Sequence, residues 1–206
     1  MKVLANILSV VFHPLLMVTY GVALAFASTY LAVYPLQMKL LILSGVFLMT
    51  AVVPGIFIAL LVKYGNGGDL ALTNRRVRTL PYLLFVASIV ACAFFLLRML
   101  MPFWLVAILF GTAAVMLMAM GINFVWKISA HMIGIGGLLG GVMGVAQLYA
   151  LNPWISFIIG FLAAGCLGTS RLILKRHTPA QVYAGFGLGF IGIYISSLLS
   201  YFYFFI

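Results

Sequence analysis

Acidic residues are almost absent from this sequence: among 206 residues there is one, Asp69, against eleven Lys and Arg, for a net charge of +10. A single carboxylate cannot form a paired-acid hydrolytic site or a cation site built from Asp and Glu. Cysteine is nearly as scarce. Cys92 and Cys166 lie in apolar runs with no Cys-x-x-Cys spacing, so both read as core residues. Charge of either sign is short, at 6% of residues, where an average soluble domain carries about a quarter.

Apolar residues are abundant: 67% of the chain is hydrophobic and its mean hydropathy is +1.31. A water-soluble fold of this size cannot hide that much apolar surface, so lipid must cover it. The apolar segments continue to Ile206, which excludes a removable leader as their explanation. They are continuous rather than alternating, which excludes barrel strands. In a soluble chain the basic excess would point to nucleic acid. Here the basic residues flank apolar segments, so the expected partners are anionic headgroups and phosphates, with no nucleic acid.

The expected fold is all-α, a polytopic transmembrane helix bundle of about six to seven spans. Candidate spans fall near 5–27, 38–62, 80–98, 102–122, 129–149, 153–171 and 180–203, each close to the roughly 20 residues a bilayer requires. No linker or repeat divides the chain, so 1–206 reads as one transmembrane domain. Span five carries two glycine ladders, Gly136-Gly140-Gly144 and Gly137-Gly141, and the last span repeats the spacing at Gly185 and Gly189. Such ladders let helix backbones approach closely. They leave two readings open, packing within the chain or the seam of a homodimer. His13, before Pro14 inside span one, reads as a packing or kink residue.

Three polar clusters stand out. The first is Arg75-Arg76-Val77-Arg78 before span three. The second is Lys127-Ile128-Ser129-Ala130-His131, opening span five. The third is Ser170-Arg171, then Lys175-Arg176-His177-Thr178-Pro179-Ala180-Gln181, between spans six and seven. Two spans separate each cluster from the next, and an even number of crossings returns the chain to the same face. All three clusters are therefore expected on one side of the membrane. Gathered there, the arginines and lysines suit a phosphate, and a histidine can attack phosphorus or carry a proton. Thr178, Pro179 and Gln181 read as a capping box, placing His177 just before a helix N-terminus that favours an anion.

With this order and spacing, the chain resembles the type 2 phosphatidic acid phosphatase family of membrane acid-phosphatase-like proteins, over about residues 74–190. The family's third motif is Ser-Arg, five residues, His, three residues, Asp. Ser170-Arg171 and His177 fit it, with Gln181 in the place of Asp. Its second motif, Pro-Ser-Gly-His, survives as Ser129 and His131. Its first, Lys, six residues, Arg-Pro, is reduced to Arg78 and Pro81, which are not adjacent. The resemblance implies that His177 is the nucleophile and His131 the acid. Arg171, Ser129 and the backbone of Ala130 would hold phosphoryl oxygens, assisted by Arg75, Arg76, Arg78, Lys127 and Ser170. Gln181 would orient His177, and no metal or other cofactor is implied.

The expected activity is hydrolysis of a lipid phosphate or an isoprenyl or lipid diphosphate through a phosphohistidine, with a membrane lipid as substrate. The alternative is an inactive relative that binds or moves anionic phospholipids, since glutamine brings no charge to His177. A transporter is disfavoured because Pro14 and Pro54 have no paired charge near midspan. The expected location is a cell membrane crossed several times, a bacterial inner membrane. Lys2 and Lys63 share the cluster face and Lys39 and Arg98 the other, which leaves the orientation open once the clusters are set aside.

Overall fold

The computed structural model describes residues 1–64 and 79–202, and among these there is no strand. The chain runs α1 (Lys2–Val11), α2 (Pro14–Ser28), a short 3-10 turn, α3 (Leu36–Phe47), a π turn (Leu48–Val52) and α4 (Val53–Tyr64). It continues as α5 (Thr79–Arg98), α6 (Phe103–Val125), α7 (Ala130–Leu148), α8 (Trp154–Ile173) and α9 (Pro179–Phe202). Among the described residues, six helices are long and apolar enough to cross a membrane, with α3 and α4 counted as one. The pair α1 and α2 forms a seventh if taken together.

Two prolines explain the two irregular spans. Pro14 has no N–H and disfavours helical backbone at the residue before it. His13 accordingly adopts φ −67°, ψ 138°, and its Nδ1 accepts from the Leu15 N–H to cap α2. The expected single span 5–27 is therefore two helices meeting at 55°. Pro54 has a milder effect. It cannot donate to the preceding turn, so the ladder slips there, with the Val53 N–H reaching the Leu48 carbonyl, and α3 continues into α4.

The centre of the bundle is α7, with half of its span buried inside the chain. It lies along α9 at a separation that only glycine permits. A Cβ on Gly136 or Gly140 would strike the Phe186 or Phe190 carbonyl, and one on Gly189 would strike the Ile133 carbonyl. Both ladders of α7 thus pack against α9 of the same chain, as the packing reading expects. Helix α8 turns Ile155, Ile158, Ile159 and Leu162 outward, an apolar face suited to lipid. Cys92 is enclosed in the core, but Cys166 is on the exposed side of α8, contrary to the expectation that both are core residues. Where lipid is the surrounding medium, an apolar residue can face either way.

Three tight ends connect the spans. Leu100, Ala150 and Lys175 have φ of 56°, 50° and 52°. At each, the next residue's N–H reaches back five positions: Met101 to Leu96, Leu151 to Ala146, and Arg176 to Arg171. This is the left-handed helix ending that glycine usually supplies.

Candidate functional site

A cavity of about 480 Å³ opens at one end of the bundle, where α5 and α7 begin and α8 ends. Its polar lining is Arg171, Arg176, His131, His177 and His13, with Ser9 and Asn6 of α1 beside them. Pro81, Tyr82 and Phe85 of α5 complete a largely apolar wall.

The turn after α8 explains how the third cluster reaches this cavity. Left-handed Lys175 reverses the chain, so that Arg176 and His177 come back beside Arg171 while Lys175 itself points outward. Arg171 and His177 are buried, 6% and 8% exposed. Beyond His177 the capping box of α9 is complete. The Gln181 N–H donates to Thr178 Oγ1 over 3.4 Å, and the Thr178 N–H donates to Gln181 Oε1 over 3.3 Å. The same Oε1 accepts from His177 Nδ1 at 3.0 Å. Glutamine therefore caps the helix and holds the imidazole at once. With the proton on Nδ1, the lone pair of His177 is on Nε2.

His131 opens α7, and its Nε2–H donates to the carbonyl of Ser9 at 3.1 Å. The helix break frees that carbonyl. In a continuous helix it would accept from His13, whose N–H instead bonds Val10. The Ser9 hydroxyl accepts from Arg171 Nη1 at 3.2 Å, so one residue of α1 holds both the histidine and the arginine. The ring of His13 meets that of His131 edge to face, with centroids 5.3 Å apart. Nothing in the sequence reading singled out Ser9. His13 stands at the kink, as its place before Pro14 implies, but it also lines the cavity. The available signal was the His13-Pro14 pair itself, since a proline-forced break leaves backbone acceptors without their helical donors.

The remaining candidates divide into three groups. Ala130 lines the cavity, placing the first turn of α7 against it. Ser129, Ser170 and Lys127 do not. Ser129 is fully buried where α7 meets Gly185, Ser170 donates its hydroxyl to the Cys166 carbonyl, and half-exposed Lys127 lies in the α6–α7 connection. Serines at helix starts and ends are drawn to nearby backbone and packing, which spacing alone does not reveal. Arg75, Arg76, Arg78 and Asp69 lie outside the described residues.

Fold and cavity together define a multi-pass helical membrane protein with a basic, histidine-lined cavity at one end of the bundle. No protein-family model matches the chain, and neither a curated protein nor a solved structure matches it.

Proposed function

We propose that the chain is a membrane phosphatase acting on a lipid phosphate or diphosphate. One observation carries the reading: Arg171, Arg176, His131 and His177 line a single cavity in which Gln181 holds His177 by Nδ1. Guanidinium groups match phosphate oxygens, and an imidazole with a fixed tautomer presents one defined nitrogen to phosphorus.

In the proposed reaction His177 Nε2 attacks phosphorus and forms a P–N bond as the bond to the leaving oxygen breaks. The bound anion would favour a second proton on His131, which gives its Nδ1 proton to that oxygen while Nε2–H stays on the Ser9 carbonyl. Water then attacks the phosphohistidine. His131 takes the water proton back, the P–N bond breaks, and inorganic phosphate leaves. Arg171 and Arg176 would neutralise the phosphoryl oxygens throughout.

A second reading is favoured by one residue. Gln181 gives His177 a hydrogen bond but no charge, and loss of the carboxylate behind a catalytic histidine costs orders of magnitude elsewhere. The chain would then bind anionic lipids without turning them over. Phosphate release and lipid binding, measured on one detergent-solubilised preparation, separate the two. Arg171→Ala is expected to weaken binding and turnover together, and His177→Ala turnover alone. Wild-type protein that binds lipid phosphates through Arg171 yet releases no phosphate would establish the binder.

A further inference from the structure

We infer that one hydrocarbon chain of the lipid ligand lies in an apolar groove leading from this cavity through the bundle; the inference rests on the lipid-phosphate reading above. The groove arises because α2 packs on α3 and α7, whereas α6 packs on α5 and α9. A cleft is left between α2 and α6, with α7 as its floor. It adjoins the basic cavity: Pro14, Phe85, Met116 and Ala130 line both.

Length, lining and charge agree on the occupant. The floor runs from Ala130 to Ala146, about 24 Å at the rise of an α-helix. That is most of a hydrocarbon core about 30 Å thick, so the groove lies at acyl depth along its course. Its volume is about 110 Å³ against about 480 Å³ for the cavity, and its largely apolar lining suits a hydrocarbon chain and not a charged headgroup. Aromatic rings gather at its far end. Trp104 lines the groove, donates from Nε1 to the Tyr30 hydroxyl at 3.1 Å, and meets Tyr149 at a centroid distance of 5.9 Å. A basic cavity beside a long, largely apolar groove matches an anionic headgroup carrying one long chain.

The test compares phosphate release from geranylgeranyl phosphate, hexadecyl phosphate and short dimethylallyl phosphate. Thr112→Trp and Val142→Trp put bulk into the groove from α6 and α7. Leu162→Trp on the lipid-facing side of α8, 67% exposed, is the control. Displacing a few methylenes from the groove is expected to lower kcat/KM for the long chains by roughly tenfold or more, leaving the short substrate and the control within about twofold. Loss with both long chains assigns the groove to hydrocarbon generally, and loss with the prenyl chain alone to prenyl lipids. Equal loss for long and short substrates, or none, overturns the inference while the phosphatase stands.

A second arm uses wild-type protein and geranylgeranyl phosphate bearing a photoreactive group at the chain end. Crosslinks on α2, α6 or α7 support the groove even where no phosphate is released, in which case the phosphatase reading alone fails. Crosslinks confined to the outer face of α8 overturn the groove.

Discussion

The ring of His131 is hydrogen-bonded to the carbonyl of Ser9, a residue 122 positions earlier in the chain. The bond exists because Pro14 breaks the first span and strips that carbonyl of its helical donor. Ser9 also receives Arg171 through its hydroxyl, so α1 is part of the site. Ser9→Ala keeps the carbonyl and removes the hydroxyl. Losing one hydrogen bond of about 1 kcal/mol is expected to weaken lipid phosphate binding several-fold with kcat little changed. A fall in kcat with unchanged binding would show that the hydroxyl, and not only the carbonyl, serves the chemistry.

Gln181 accepts from both Thr178 and His177 through one oxygen, and that geometry selects the informative substitution. Glutamate has the same reach, keeps both bonds and adds the charge that would stabilise a protonated His177. Aspartate is one methylene shorter. Gln181→Glu is therefore expected to raise phosphate release, and Gln181→Ala to lower it while costing about 1 kcal/mol of stability through the cap. The check is kcat beside thermal unfolding for both variants. Unchanged kcat in Gln181→Glu would leave Gln181 a cap alone.

Close approach of α7 and α9 gives a prediction independent of function. Gly140→Ala and Gly189→Ala place a methyl against backbone carbonyls of the facing helix, an overpacking expected to cost about 1–3 kcal/mol. Gly187→Ala meets nothing within 4 Å and is expected to be neutral or mildly stabilising. Unfolding of the three variants in one detergent reads the difference.

Lys175 lies among the basic residues of the third cluster, yet it is exposed and takes the left-handed position that ends α8. Lys175→Gly is expected to stabilise the protein by up to about 1 kcal/mol and leave lipid phosphate binding unchanged. Weakened binding would draw Lys175 into the site.

The spans were legible because a bilayer imposes a length on apolar runs, and the shared end of His131 and Arg171 followed from counting crossings. What escaped the sequence depends on which way a side chain points. Cys166 and Cys92 sit in equally apolar helices, one facing lipid and the other protein. Ser129 and Ser170 have suitable spacing but turn to packing and to backbone. The bond from His131 to Ser9 depends on a 55° bend whose existence Pro14 signalled but whose direction it did not. The groove between α2 and α6 arises from how helices distant in sequence share α7, which no local pattern encodes.

The central claim is that His177 forms a covalent bond to phosphorus. The most direct measurement is to quench purified protein in alkali during turnover of a lipid phosphate carrying radioactive phosphorus, then locate the label. The account predicts an alkali-stable, acid-labile label on His177, lost in His177→Ala together with hydrolysis while lipid binding persists. Active wild-type protein with no label, or a His177→Ala variant that hydrolyses as well as wild type, would contradict it.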